Sequence, residues 1–254
     1  MMKKFAAVVL AAGKGTRLAA GRPSPMPKVL YEIAGRPLIS YTLDVLKKVG
    51  LDEIVIVVGH KAEDVKQAVG SGFKFAVQDK RLGTGHAARI GFTQVSERKK
   101  EILVINGDDS AFYKLETLQK IINKHVGRGD TVTFVTLKLE NPTGLGRVIR
   151  KNGKVVDIVE EKDATSTQKK IKEINDGVYV FNRSWLEKNL PLICRSRVGE
   201  YYIVDLIRAA VAQGKKVGAF ILEDSSEWRG VNTPQELARA DRLMREKQKD
   251  ATEK

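Results

Sequence analysis

What most constrains this chain is a repeated alternation of short apolar runs with amphipathic stretches. Residues 6–10, 53–58, 74–77, 102–105 and 131–137 have strand length and are rich in β-branched side chains. Between them, Leu38, Thr42, Val45, Leu46 and Val49 recur at helical spacing, as do Leu115, Leu118, Ile121, Ile122 and Val126. Strand–helix–strand order predicts an α/β, Rossmann-like fold: a mainly parallel sheet with helices on both faces. The ligand of such a sheet sits beyond the carboxyl ends of its strands.

After residue 139 the alternation lapses. Asn141-Pro142-Thr143-Gly144 is turn chemistry, and residues 147–150 and 154–159 around Asn152-Gly153 read as a hairpin. Residues 172–181 read as a strand, 202–211 and 235–244 as helices, and 217–222 as a strand between them. Thr233-Pro234-Gln235-Glu236 is a capping box with proline at the first helical position. With no internal repeat and no linker, the expectation is one domain over residues 1–254 with a small β-rich lobe inserted in its second half. Its parts would be 1–140, a β-rich 141–232, and a closing helix at 233–250.

Composition excludes several classes. Apolar residues make up 42% of the chain, so disorder is not its general state. No apolar run approaches the roughly 18 residues of a membrane span, and residues 5–12 run into Gly13-Lys14-Gly15. The single cysteine, Cys194, rules out an internal disulfide framework and suits a reducing cytoplasm. A net charge of +14 fits nucleic acid or small polyphosphates equally well, and the basic residues are spread along the chain.

Two stretches carry chemistry. In Ala11-Ala12-Gly13-Lys14-Gly15-Thr16-Arg17, glycines directly after the first strand free backbone N–H groups to surround phosphate oxygens. Arg17 can grip a phosphate at two points and Lys28 is a movable point charge. The spacing is not that of Walker A, and the third glycine of the dinucleotide fingerprint is missing. In Asn106-Gly107-Asp108-Asp109, a carboxylate at a strand's end can hold Mg²⁺, which takes one or two carboxylates plus substrate phosphates. The plain alternatives are a turn-capping Asp108 and a helix-starting Asp109. No His/Cys cluster has metal-ligand spacing, His60 and His86 fall near loops, and no nucleophile–base pair stands out.

These residues, with Pro27-Lys28-Val29-Leu30, resemble the sugar-1-phosphate nucleotidyltransferases. Gln78 with Leu82-Gly83-Thr84-Gly85-His86-Ala87 follows in the family's order. So do Pro142-Thr143-Gly144-Leu145-Gly146-Arg147, Val159-Glu160-Glu161-Lys162-Asp163-Ala164 and Glu173-Ile174-Asn175. Gly199-Glu200-Tyr201-Tyr202-Ile203-Val204-Asp205 and Gly230-Val231-Asn232 complete the set, over nearly the whole chain. Within the family they are similar to the pyrophosphorylase domains that act on N-acetylglucosamine 1-phosphate.

The resemblance implies Mg²⁺-dependent transfer of a uridylyl group from UTP to that sugar phosphate, with pyrophosphate leaving and no covalent intermediate. Arg17 and Lys28 would be the catalytic cations. Ala11, Ala12, Gly13, Gly15 and Thr16 would surround the phosphates, and Gln78, Gly83 and Thr84 the base. Asn106, Gly146, Glu160 and Asn175 would meet the sugar, and Asp108 and Asn232 the metal. The plain alternatives are an exposed amide at Gln78, a cross-strand lysine pair at Glu160 and a solvent-facing Lys162.

Three positions depart from the family pattern: Asn106 stands where tyrosine is usual, Asp176 where threonine is, and Asp109-Ser110 where Val-Pro is. The stretch 18–26 is longer than the family's, which implies a different cover over the triphosphate. The family's left-handed β-helix of hexapeptide repeats is not in this sequence, so no acetyltransfer is expected and the oligomer is not implied. Two alternatives stay open: another sugar 1-phosphate or nucleotide with the same chemistry, and a non-catalytic nucleotide- or RNA-binding module. The second is less favoured, since Arg17, Lys28, Asp108 and Asn232 are all present, so neither a nucleic-acid nor a membrane partner is expected.

Overall fold

Residues 1–19 and 26–252 are described by a computed structural model, so most of the stretch 18–26 and its expected cover over the triphosphate lie outside the described residues. The chain begins with β1 (Phe5–Leu10), a small antiparallel hairpin of β2 (Glu32–Ile33) and β3 (Arg36–Pro37), and α1 (Leu38–Val49). Regular alternation follows through β4 (Ile54–Val58), α2 (Ala62–Val69), β5 (Lys74–Val77), α3 (Thr84–Phe92), β6 (Glu101–Asn106), α4 (Leu115–Arg128) and β7 (Val132–Lys138). The second half holds β8 (Arg147–Lys151), β9 (Lys154–Val159), α5 (Ser166–Lys169), β10 (Glu173–Asn182), α6 (Arg183–Asn189), α7 (Asp205–Ala212), β11 (Val217–Ile221) and α8 (Pro234–Thr252).

The strands join in the order β11-β7-β10-β6-β1-β4-β5, with the β8–β9 hairpin attached through β10. β1 pairs in parallel with β4 and β6, β4 with β5, and β7 with β11. Within that seven-strand order β10 alone runs against its neighbours, β6 and β7, and the β8–β9 hairpin beside it is antiparallel too. The sequence pattern does not distinguish that direction, because a strand covered on both faces is uniformly apolar whichever way it runs.

Each face of the sheet has its own core. Phe5, Ala7 and Val9 pack with α1 and α4 residues such as Leu46 and Ile121, whereas Ala6 and Val8 pack with α3 and α7 residues such as Ala88 and Ile207. The two sets alternate along β1, as the pleat requires. Helices α1 and α4 stop at Gly50 and Gly129, both left-handed, a conformation glycine adopts without a Cβ penalty.

Several expectations change in detail. On α4 the inward residue is His125, hydrogen-bonded to Thr133 and Glu101, while Val126 is 41% exposed. α7 begins at Asp205 rather than 202, because Tyr202, Ile203 and Val204 are held in turns and inserted into the core. α8 continues to Thr252, its surface carrying the Arg245–Asp241 pair at 2.9 Å. Helix α3 was not legible as a helix. Its inward face is Gly85, Ala87, Ala88 and Gly91, small enough that a Cβ on Gly91 would lie 2.4 Å from Val8.

This topology opens one cleft. The loops after β1, β5 and β6 leave the sheet at parallel carboxyl ends, which is where doubly wound sheets bind ligands. Strand β10 shifts register between Asn175 and Tyr179, and the bulge carries Asp176 and Gly177 to the same rim.

Candidate active site

A cleft of about 540 Å³ lies across the sheet's edge, reaching from Gln78 and Gly83 past Lys28 and Asp108 to Glu160. Its floor is a cluster of opposite charges. The Lys28 ammonium forms a close ion pair with Asp108 and a 3.0 Å hydrogen bond to Asn232 Oδ1. Arg17 Nη2 donates to the same Asn232 oxygen at 2.8 Å. Asp109 Oδ1 stands 3.7 Å from Lys28 Nζ and has no hydrogen-bond partner. Burial works against the charge on Lys28, but Asp108 and Asp109 outweigh it and the ammonium's pKa is raised. The Asp109 carboxyl is pushed up, first by burial and then by the neighbouring Asp108 charge.

Local structure positions Lys28, Asp108 and Asn232. Lys28 N–H bonds to the Gly13 carbonyl at 3.1 Å, so the glycine loop and the lysine move as one piece. Gly15 has a positive φ of 71°, and a Cβ there would press on the Lys28 backbone at 3.3 Å. Gly107 N–H bonds to Leu10 C=O at 3.0 Å, placing Asp108 across from the loop that follows β1. The capping box of α8 forms as expected, with Glu236 N–H donating to Thr233 Oγ1 at 3.2 Å. Glu236 Oε2 also accepts from Asn232 N–H at 2.7 Å, so the cap sets the backbone of a site residue.

At one end, Gln78 is buried rather than an exposed loop amide. Its Nε2 donates to Gly83 C=O at 3.2 Å and contacts His86 Nδ1 at 3.0 Å. Burial first, then Arg89, lowers the His86 pKa, so the ring is neutral at pH 7 and its Nδ1 can accept. His86 lies in α3, not in a loop. Gly83 has φ 96°, and a Cβ there would lie 2.5 Å from Tyr201 C=O. Tyr201 N–H donates to Leu82 C=O at 2.7 Å, Gly85 N–H to Tyr201 C=O at 2.8 Å, and Ile203 N–H to Thr84 Oγ1 at 3.2 Å. The Tyr201–Ile203 segment from the second half therefore clamps the turn before α3.

The other end is acidic. Glu160 makes no ion pair or side-chain hydrogen bond among the described residues, so the cross-strand lysine alternative does not hold. Burial, then the charges of Asp205 and Glu200, push its pKa up to about 7. Lys162 instead pairs with Glu200 at 3.2 Å. Asn106 Nδ2 donates to Asp109 Oδ2 at 3.3 Å and packs on Gly177, where a Cβ would lie 2.4 Å away. Tyr113 donates to Asp176 Oδ2 in a close hydrogen bond, while Asp176 Oδ1 is buried with no partner. Burial raises the Asp176 pKa to about 8.

Of the residues singled out from sequence, Ala12, Gly13, Arg17, Lys28, Asp108 and Asn232 line the cleft at its floor. Gln78, Gly83 and Thr84 line one end, and Asn106 and Glu160 the other. Ala11, Gly15, Thr16, Gly146 and Asn175 do not line it. Ala11 is buried, its N–H bonded to Val57 C=O at 2.9 Å. Gly146 sits against Glu160, and the Asn175 amide donates to Tyr179 at 2.6 Å with its Oδ1 unpartnered. Asp109 lines the cleft and does not start a helix, since α4 begins at Leu115. Arg81, Glu200 and Tyr202 also line it and were missed as site residues, although each lies in or beside a quoted motif.

Fold and site together define an α/β enzyme whose cleft pairs a glycine loop and its two cations with an acidic pocket. The chain belongs to the nucleotidyl transferase family, whose model matches residues 6–247. It is 41% identical over 246 residues to the bifunctional protein GlmU of Acetivibrio thermocellus, an alignment covering 96% of this chain and 52% of that protein. With the GlmU of Clostridioides difficile it shares 38% identity over 243 residues, covering 95% and 52% of the two chains. The chain thus spans about half the length of the curated relatives it matches. A crystal structure described as a glucose-1-phosphate thymidylyltransferase of Bacillus anthracis superposes with a TM-score of 0.79 at 22% identity, over 94% of both chains. That likeness establishes the Rossmann-like fold. Enzymes of this family generally use a divalent metal ion. No helix among the described residues is long and apolar enough to cross a membrane.

Proposed function

We propose that this chain transfers the uridylyl group of UTP to N-acetylglucosamine 1-phosphate, with Mg²⁺, giving UDP-N-acetylglucosamine and pyrophosphate. The observation that carries the reading is the contact of Lys28 with both Asp108 and Asn232 on the floor of a cleft bounded by Gln78 and by Glu160. The ordered motifs and the long alignments with the GlmU proteins support it. In this reading residues 1–140 serve the nucleotide, 141–232 the sugar, and the two share one sheet.

The sugar phosphate's oxygen attacks the α-phosphorus in line, and the bond to the β-phosphate oxygen breaks. Arg17 and the loop from Ala11 to Thr16 hold the leaving phosphates, and Lys28 meets the charge that develops at the α-phosphate. Such catalysis is positioning plus charge stabilisation, with no enzyme nucleophile. The donor set fits a hard cation, because an ammonium already stands between one carboxylate and one amide oxygen. Among the described residues no three His, Cys, Asp or Glu converge, so phosphate oxygens would complete the coordination. Asp108 and Asn232 would hold the ion, and when bound it would neutralise phosphate charge on both substrates.

Gln78 gives the base its selectivity. With Nε2 engaged by Gly83 and His86, its Oε1 is left to accept from an imide N–H, which uracil has and cytosine lacks. Glu160 accepts from the sugar, with Gly146, Asn175 and Asn106 beside it. A second reading keeps the chemistry and changes the sugar. It is favoured by the polar Asn106–Asp109–Asp176 group.

Pyrophosphate release with Mg²⁺, UTP and N-acetylglucosamine 1-phosphate, run beside CTP, GTP and glucose 1-phosphate, tests both. Fast release with the first pair alone is expected. Release with UTP and a different sugar moves the assignment to the second reading, and no release with any pair overturns both.

A further inference from the structure

The two oxygens offered to a metal are already taken by this chain's own cation. Lys28 Nζ is held by Asp108 Oδ2 in a close ion pair and by Asn232 Oδ1 at 3.0 Å. Side-chain exposures of 15% and 12% for Lys28 and Asp108 leave little water to share the contact. An ammonium and a divalent ion cannot both occupy the space between two oxygens. Charge-assisted bonds of this kind, partly desolvated, are among the stronger side-chain contacts. Arg17, on the same Asn232 oxygen at 2.8 Å, adds a further positive charge against an incoming cation.

We propose that Lys28 is the placeholder of the metal site: the resting chain excludes the divalent ion, and the ion enters only when a triphosphate draws the ammonium away from Asp108. This rests on the metal role assigned above to Asp108 and Asn232. The triphosphate supplies what the exchange needs, an anion for Lys28 to follow and oxygens for the ion. The same contact keeps Lys28 charged and aimed into the cleft while no nucleotide is bound. Asp109 Oδ1, unpartnered 3.7 Å away, remains to face the ammonium when Asp108 is given up. Metal affinity and nucleotide affinity are then coupled through one side chain, and such coupling is reciprocal.

The test is direct binding of Mn²⁺, read by the loss of the free-ion electron paramagnetic resonance signal, to protein without nucleotide or sugar. Wild-type protein should take up Mn²⁺ only weakly. Lys28→Met should bind it about tenfold more tightly or better, within the range usual for coupled sites. Arg17→Met removes an equal charge that touches Asn232 but not Asp108, so its gain should be clearly smaller. Adding Asp108→Asn to Lys28→Met should abolish the gain. Equal gains in the Arg17 and Lys28 variants would mean that net charge alone acts, and would overturn the proposal. So would a gain that survives Asp108→Asn, or no gain in Lys28→Met. Should Lys28→Met fail to fold, wild-type protein decides: micromolar Mn²⁺ saturation without nucleotide overturns the proposal and millimolar weakness supports it. No arm contains UTP or a sugar phosphate, so a wrong substrate assignment leaves these results unchanged.

Discussion

Two regions of the cleft solve opposite electrostatic problems. At the floor, cations contact an acid and an amide oxygen: Lys28 with Asp108, and Arg17 and Lys28 with Asn232. At the sugar end, Glu160 has no ion-pair partner among the described residues, Asp176 is paired only with the Tyr113 hydroxyl, and both carboxyls are pushed up in pKa by burial. The floor is a charged surface kept balanced until phosphates arrive. The far end is kept close to neutral, which suits hydroxyls and amides rather than ions. In the function proposed above, that difference lets one cleft take a polyanion and a sugar. Its floor cations are already compensated by Asp108 and Asn232, whereas the acids at the Glu160 end are held without cationic partners.

Removing the cation at the floor should break the comparison most severely. Lys28→Ala is expected to lower turnover by about 100-fold or more, the usual cost of losing a preorganised charge at the reacting phosphate. Steady-state kinetics at saturating nucleotide check this, and wild-type turnover would take Lys28 out of the reaction. Next comes the turn before α3, at the Gln78 end. Gly83→Ala places a Cβ 2.5 Å from Tyr201 C=O at a φ of 96°. It should cost about 1–3 kcal/mol in urea unfolding through backbone strain and raise the nucleotide KM, since Gln78 bonds to that residue. Unchanged stability would mean that the Tyr201 clamp is soft.

How much of this was legible in the sequence depends on distance along the chain. Strands β1, β4 and β6 announce themselves as short, nearly continuous apolar runs of strand length, and the cap of α8 is written in four adjacent residues. Helix α3 was hidden, since small residues that let a helix sit close to a sheet look like loop residues when read alone. The direction of β10 was hidden too, because burial on both faces erases the pattern that would report it. Most of the residues the motifs singled out line one cleft, but the motifs do not carry the partners within it. The bond from Lys28 to Asn232 joins residues 204 positions apart, and no local pattern carries it. His125, not Val126, faces inward because Thr133 and Glu101, on neighbouring strands, supply what a buried imidazole needs.

The fixed acids make a finer test. Asp176 titrates near 8 in the folded chain, against about 3.9 in an unfolded one. Across that window the folded state holds a proton that the unfolded state has lost, so stability falls as pH rises and levels off above 8. The slope is at most about 1.4 kcal/mol per pH unit for one proton. Asp176→Asn keeps an acceptor for Tyr113 and should flatten this dependence in urea titrations from pH 5 to 8. A variant that retains the slope would assign it to other buried acids.

The smallest effect expected belongs to Glu160, and it separates the two ends most sharply. Burial and its acidic neighbours push its carboxyl up to about 7, so acidification below that value weakens an acceptor in the pocket proposed for the sugar. The KM for the sugar phosphate should therefore rise as pH falls from 8 to 6, by about 3- to 10-fold, the worth of one hydrogen bond. The nucleotide KM should not follow it. A sugar phosphate also takes up a proton near pH 6, a change common to every enzyme variant. Glu160→Gln isolates the residue's own share. It should show the raised KM already at pH 8, and only the substrate's residual dependence below it. If Glu160→Gln retains the full wild-type profile, the sugar end senses pH through Asp109 or Asp176 instead, and the acceptor assigned to Glu160 belongs to one of them.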